Sequence, residues 1–349
     1  MRTSDFHYEL PPELIASRPL ENRAGSRMML VNRATGQITH HAFHHFKDLL
    51  PPDHLVVLND TKVIPARLFS NDGSIELVRT NASDAHHWWC LVRPGKKMKI
   101  GRSVQVGTST GTVVDTNEKG ERLILWDHPP DLEKHGHLAL PHYMEREADR
   151  ADRDRYQTVY AKKDGAIAAP TAGLHFTPEL LGEIDHTFLT LHVGVGTFRP
   201  VKVEDPSEHE MHSEHYFLHQ EAAQKINGAK KIAAVGTTVT RVLEHLARDR
   251  EIAACSGATD IFIYPPFQFK AVDTLLTNFH LPCSTLMMLI SAFASRELIL
   301  EAYAKAVEER GENGGITMSS AYTTAARSIS DAISLDASKH PEETIWTTV

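Results

Sequence analysis

The sequence predicts an α/β protein whose α/β layer is interrupted by a block of short strands. Past residue 155, strand-like apolar runs alternate with helical runs, the pattern of parallel strands joined by helices. Between about 68 and 143 that alternation stops. Short β-prone segments at 74–79, 88–92, 103–106, 111–115 and 122–126 are separated by Gly, Asn, Asp and Pro, with no helical period of useful length, as in a small barrel or sandwich. The chain has 349 residues, 41% hydrophobic and 23% charged, which suits roughly two ordinary globular domains at ~150 residues each.

The first elements follow from local signals. Pro11, Pro12 and Glu13 resemble the first turn of a helix leading into Leu14 and Ile15. Residues 27–32 read as a strand closed by a turn at Arg33-Ala-Thr-Gly36, and 40–50 as a short helix stopped by Pro51 and Pro52. The apolar run at 55–58 suits a buried strand, with Asn59, Asp60 and Thr61 at its C-terminal end, where parallel sheets open into ligand-carrying loops. Residues 145–155 are dense in charge and read as a solvated linker or helix. Strands are expected at 187–192, 231–235 and 259–264, and helices at 220–230, 238–247, 284–294 and 296–310. Residues 311–349 are rich in Gly, Ser, Thr and Ala and read as a weakly ordered tail.

Composition excludes several classes. Three separated cysteines, Cys90, Cys255 and Cys283, form no CxxC pair, which argues against a disulfide scaffold and for a reducing compartment. No apolar run approaches the ~20 residues that span a bilayer, and the N-terminus lacks a signal-peptide core, so a soluble cytoplasmic protein is expected. The net charge of -8 gives no global attraction to nucleic acid, so any such contact must use local basic patches.

Six segments carry possible chemistry. In Pro170-Thr-Ala-Gly-Leu-His-Phe-Thr-Pro178, Thr177 can cap a helix, Gly173 admits close backbone approach and His175 can move protons, although an ordinary capped turn has the same sequence. Leu191-His-Val-Gly-Val-Gly-Thr-Phe-Arg-Pro200 ends a strand in a Gly-x-Gly turn whose amides can grip a carboxylate or ribose hydroxyls. The cluster from His209 to His219 invites a metal reading, without the HExxH spacing that puts ligands and base on one helix face. Gly236-Thr-Thr238 after an apolar run places hydroxyls and amides at a helix start, suited to an anionic group. Arg241 and Glu244 on that helix lie one turn apart, the spacing of a surface ion pair. Asn278, Phe279 and His280 precede Ser284, a candidate cap, and suit base or ribose recognition or a polar cap network. Arg93-Pro-Gly-Lys-Lys-Met-Lys99, with Arg102 and the preceding Trp88 and Trp89, is the clearest basic patch and suits phosphates and unstacked bases.

In this order the segments resemble the S-adenosylmethionine:tRNA ribosyltransferase-isomerase family of queuosine biosynthesis. The resemblance rests on Asn59-Asp-Thr-Lys-Val-Ile-Pro-Ala-Arg67, Arg93-Pro-Gly-Lys-Lys97, Tyr156-Gln-Thr-Val-Tyr160, Ala169 to Phe176, Leu191 to Pro200, Met211-His-Ser-Glu214, Gly236-Thr-Thr238, Asp260-Ile-Phe-Ile-Tyr-Pro265 and Leu275 to Pro282. It implies a discontinuous α/β domain (1–67 and 145–310) with an inserted small β-barrel domain (68–144), leaving 311–349 as an atypical tail. It also implies a reaction. The ribosyl moiety of S-adenosylmethionine passes to 7-aminomethyl-7-deazaguanine at the tRNA wobble position, giving epoxyqueuosine and releasing adenine and methionine. The family implies no metal, and a monomer.

That chemistry asks for a base beside the carbon acidified by the sulfonium, an acid near the departing adenine, and a neutral aminomethyl nucleophile. The resemblance points to His175, His192, His212 and His280, with Glu214 or Asp60 as carboxylate partner. It assigns Thr171, Gly173, Gly194, Gly196, Thr197, Thr237, Thr238 and Asn278 to the methionine carboxylate and ribose. Phe176, Phe198, Tyr264 or Tyr156 would stack on adenine or meet the sulfonium. Arg67, Arg93, Lys96, Lys97, Lys99 and Arg199, with Lys202, would meet tRNA, and Tyr156 belongs to the substrate-binding set. Three departures stand out: Pro266 follows Tyr264-Pro265 where the family has Gly, Val239 replaces a Ser, and the family's C-terminal aromatic and acidic segment is replaced after 310. The competing expectations are a tRNA-binding relative impaired in catalysis and a metal-dependent hydrolase built on the His209–His219 cluster.

Overall fold

The computed structural model describes residues 1–144, 146–194, 201–249 and 251–309, with the short strands Met318–Ser319, Thr324–Ala325 and Thr344–Thr347. At its centre four strands run parallel in the order His186–Leu191, His54–Asn59, Lys231–Val235, Thr274–Thr277. Leu55, Val56, Val57 and Leu58 are all buried, as expected for a strand covered on both faces. Glu214–Leu218 and Cys255–Thr259 extend one side antiparallel. On the other side Thr344–Thr347 pairs parallel with Thr274–Thr277 and antiparallel with Arg27–Val31. Apart from Met318–Ser319, Thr324–Ala325 and Thr344–Thr347, the expected tail lies outside the described residues.

Helices Gln220–Gly228, Thr237–Leu246, Thr285–Phe293 and Arg296–Glu308 accompany these strands. Their starts follow local chemistry. Ser284 Oγ accepts the Met287 N–H at 3.1 Å and Thr177 Oγ1 accepts that of Leu180 at 3.3 Å, the caps their positions imply. Two expectations need correction. Residues 40–50 divide into the strand Ile38–Ala42, a hairpin partner of Arg27–Val31, and the short helix Phe46–Leu49. The strand expected at 259–264 lies earlier, at Cys255–Thr259, because Ile261 and Ile263 bury themselves from an irregular segment instead of a ladder.

The block of short strands forms a six-stranded antiparallel sheet: Arg67–Phe69, Glu76–Ala82, His87–Arg93, Arg122–Trp126, Ser109–Thr116, Ser103–Val106, in that spatial order. It curls until its ends nearly meet. The Asn71 N–H reaches the Gln105 carbonyl at 2.9 Å, and the Asn71 side chain brackets Gly107 with two further bonds. Alternation sets its interior: Val104 and Val106 are buried while Ser103 and Gln105 are exposed. Leu68, Leu77, Trp88, Cys90, Val113, Ile124 and Trp126 complete a core separate from that of the α/β layer.

Candidate active site

The four parallel strands end side by side, and the residues after them are those the sequence marked. Asp60 and Thr61 follow Asn59, His192 and Gly194 follow Leu191, Gly236 to Thr238 follow Val235, and Asn278 to His280 follow Thr277. Ligands in such sheets bind beyond the carboxyl ends of the strands. Asn59 fixes two of these ends: its Nδ2 donates to the Leu191 carbonyl at 2.9 Å and its Oδ1 accepts the Leu191 N–H at 2.9 Å.

Above the strand ends lies a cleft of two lobes. The first, about 1120 Å³ counting its open mouth, is lined by Tyr8, Tyr156, Thr171, Asn278, Phe279 and His280 among others. The second, about 1640 Å³ on the same measure, is lined by Lys119, Lys202, Glu208, Glu210, His212, Glu214 and Arg241 among others. Thr237, Thr238, Thr285 and Leu286 line both, so the start of the Thr237–Leu246 helix is the shared wall. Gly236 makes that wall possible. Its φ of +93° turns the chain from strand to helix in one residue, and its N–H anchors to the Leu276 carbonyl at 2.6 Å. The first N–H groups of a ten-residue helix therefore border both lobes, with the positive end of its dipole.

Of the sequence candidates, Tyr156, Thr171, Thr237, Thr238, Asn278 and His280 meet in the first lobe, and His212 and Glu214 in the second. His280 is buried, donates its N–H to the Tyr303 hydroxyl at 3.0 Å and accepts the Tyr8 hydroxyl on its carbonyl at 2.6 Å. Burial holds its imidazole down at about 3, so the ring is neutral at physiological pH. The Tyr156 hydroxyl lies inside the wall beside the Ala169 backbone without completing a hydrogen bond, and burial pushes its pKa up.

Behind the second lobe, Arg241 and Glu214 form a buried ion pair, each side chain 6% exposed. The guanidinium also donates to the carbonyls of Ile261 and Thr259, and Glu214 Oε1 accepts the Gly194 N–H at 3.1 Å. This corrects the expected surface pair of Arg241 with Glu244. Glu244 is buried elsewhere, accepting the N–H groups of Lys270, Ala271 and Val272 at 2.9 to 3.0 Å. The i,i+3 spacing was real, but each side chain found a distant partner that sequence order does not reveal.

Other candidates do not line either lobe. His175 is buried against Phe43, with Nδ1 at 3.1 Å from Ser26 Oγ, and burial lowers its pKa to about 3. Phe176 packs edge-on against Phe43 and Phe46, fully buried, so it offers no face to a ligand. At Gly173 a Cβ would fall 2.0 Å from the Tyr160 hydroxyl, so the absence of a side chain serves packing. His192 Nδ1 lies 2.8 Å from Thr61 Oγ1 in a separate shallow pocket with His215. Burial lowers the His192 pKa, against the pull of Asp60, whose Oδ1 accepts the Thr190 hydroxyl at 2.5 Å. Gly194 is held by Glu214, and Tyr264 packs against Phe262. Gly196, Thr197, Phe198 and Arg199 lie outside the described residues.

The basic candidates divide. Arg67 is committed to Glu76 at 2.7 Å and Glu147 at 2.5 Å. Arg93 is exposed, and Lys96, Lys97 and Lys99 line a surface groove of the six-stranded sheet with Arg102 and Gln105. Trp88 is buried against Trp126 and cannot stack on a base. In the histidine-rich segment, strand alternation buries Glu214 and Tyr216 while His215 and His219 face outward, so ligands adjacent in sequence point apart. Among the described residues no three His, Cys, Asp or Glu side chains are grouped to hold a metal, and no helix is long and apolar enough to cross a membrane. Sequence reasoning missed Tyr8, Lys119 and the role of Arg241, none of which sits in a motif.

A family described as queuosine biosynthesis protein matches residues 3–311. An S-adenosylmethionine:tRNA ribosyltransferase-isomerase of Caldanaerobacter subterraneus subsp. tengcongensis is 47% identical over 330 residues, covering 89% of this chain and 96% of the relative. One from Clostridioides difficile is 46% identical with the same coverage. Among solved structures, the crystal structure of S-adenosylmethionine tRNA ribosyltransferase from Thermotoga maritima is similar, with a TM-score of 0.50 and 37% identity, covering 88% of this chain and 95% of that one.

Proposed function

The chain belongs to the queuosine biosynthesis protein family, and from that membership we propose that it transfers and isomerises the ribosyl moiety of S-adenosylmethionine. The acceptor is 7-aminomethyl-7-deazaguanine at the tRNA wobble position, and the products are epoxyqueuosine, adenine and methionine. The observation that carries this reading is the convergence of six of the nine matching segments, those of Tyr156, Thr171, Val193, His212, Thr237 and Asn278, on one two-lobed cleft at the strand ends. A reaction of two substrates, one small and one macromolecular, needs two adjoining sites with a common wall.

The first lobe suits the sulfonium nucleoside. Tyr8, Tyr156 and Phe279 offer aromatic surface to adenine and the sulfonium, and the helix start at Thr237 and Thr238 suits the methionine carboxylate. Neutral His280 holds its side of the lobe through Thr277 Oγ1 at 3.2 Å, and Tyr156 contributes its ring, its hydroxyl being enclosed in the wall. His212, facing the second lobe, takes the proton-transfer role, beside the carboxylate of Glu214. His175, His192 and Asp60 act as positioning residues: the first supports the Thr171–His175 turn, the others tie the strand ends together. The same reading has a cytoplasmic monomer whose α/β domain, 1–67 and 145–310, is discontinuous around the insert 68–144.

The test is incubation of the chain with S-adenosylmethionine and tRNA carrying 7-aminomethyl-7-deazaguanine. Adenine release that requires the modified tRNA and leaves epoxyqueuosine in it is the expected result. Stem-loop binding without adenine release would instead describe a relative that has lost catalysis.

A further inference from the structure

The second lobe has a lining residue supplied by the six-stranded sheet. Lys119 sits on the turn joining Ser109–Thr116 to Arg122–Trp126, yet it lines the same lobe as Lys202, His212 and Glu214 of the α/β layer. The turn is built to hold still. Asn117 Nδ2 donates to Glu121 Oε2 at 2.6 Å, and the Glu121 and Gly120 N–H groups return to Asn117 at 3.0 Å each. The Arg122 guanidinium holds the Gly120 carbonyl at 2.6 Å. Lys119 itself is exposed, and among the described residues it makes no ion pair or hydrogen bond. A fixed turn thus presents an uncommitted ammonium to the cleft.

The charge of the lobe selects its occupant. A sulfonium repels lysines, whereas an RNA strand brings phosphates to them. Glu208 and Glu210 line the same lobe and can accept the N–H groups of an aminomethyl substituent. A nucleotide with phosphates on its backbone and an amine on its base matches both sets. We propose that the second lobe takes the extruded wobble nucleotide and that Lys119 grips an adjacent phosphate together with Lys202, so that the inserted sheet clamps the RNA over the cleft. This rests on the tRNA-modifying reading above and adds to it the strand's entry side and a residue outside the family motifs.

The experiment measures binding of an anticodon stem-loop carrying the 7-aminomethyl-7-deazaguanine base across a salt series, alongside adenine release, for the full chain and its Lys119→Ala, Lys119→Glu and Lys119→Arg variants. Lys119→Ala should weaken stem-loop binding about 3- to 10-fold and flatten the slope of log K against log salt by about 0.7 to 0.9, the share of one phosphate. Lys119→Glu should weaken it further, and Lys119→Arg should keep affinity and slope. The KM for S-adenosylmethionine should stay unchanged in all three, and so should the urea midpoint, which separates a lost phosphate contact from misfolding. If adenine is released but Lys119→Glu binds with wild-type affinity and slope, the phosphate contact is wrong while the ribosyl-transfer reading stands. If binding depends on Lys119 but no adenine appears, the contact stands and the transfer reading fails. Absence of stem-loop binding by the unaltered chain overturns both.

Discussion

Replacing Arg241 with Met should be among the most damaging single changes near the cleft. The substitution keeps most of the side-chain volume but removes the partner of a carboxylate that is 6% exposed. It also strips guanidinium bonds from the Ile261 and Thr259 carbonyls. Breaking a buried pair from one side costs about 3–5 kcal/mol, because the remaining charge is left without compensation. Set against a typical total of about 5–15 kcal/mol, that is a large fraction of stability. With an m-value of roughly 3 kcal/mol/M, the urea midpoint should fall by about 1–1.7 M. The Glu214→Gln, Arg241→Met double variant should recover most of the loss, since it removes the stranded charge and keeps an acceptor for the Gly194 N–H. Urea unfolding followed by fluorescence and circular dichroism, with coincident transitions required, reads the difference. A loss below about 1 kcal/mol for the single variant, or a double variant no better than the single, would show that this pair does not hold the floor of the second lobe.

Two further predictions concern buried groups. His175 and His280 are both held near 3 by burial, so the unfolded chain binds more protons than the native one between about pH 3 and 6.5. Their contribution is complete above pH 6.5 and falls as the pH drops, by about 2 kcal/mol each at pH 5, and His280→Gln should flatten the decline in urea unfolding at pH 7 and pH 5. Gly173→Ala puts a methyl group 2.0 Å from the Tyr160 hydroxyl and should cost about 1–3 kcal/mol by thermal unfolding. Because that hydroxyl is buried without a hydrogen-bond partner, adding Tyr160→Phe should restore much of the loss, and failure to do so would place the clash elsewhere.

The sequence was most informative where one short signal governs one element. The apolar run of residues 55–58, the caps at Thr177 and Ser284, and the Gly236-Thr-Thr turn each specify a strand, a helix start or a strand-to-helix reversal from a few neighbouring residues. The cleft candidates at Thr237, Asn278 and His280 were readable for the same reason: they immediately follow strands, and parallel topology brings strand ends together. Other features depended on contacts across long stretches of chain. Nothing near Arg241 announces Glu214, and nothing near Asn117 announces that its turn reaches the cleft. Histidine was the least reliable marker. His175 and His280 lie in equally suggestive motifs, yet one packs against Phe43 and the other lines the cleft. Trp88 misled similarly, because the pleat of the His87–Arg93 strand turns it inward.

In the proposed reaction a ribosyl group moves from a sulfonium nucleoside in the first lobe to a tRNA base in the second. S-adenosylmethionine labelled separately in the ribose, the adenine ring and the methyl group follows that transfer when the modified tRNA is recovered after one turnover. Ribose label alone should enter the tRNA, with adenine label released as free base and methyl label as methionine. Methyl label in the tRNA, or ribose label remaining in small molecules, would contradict that transfer.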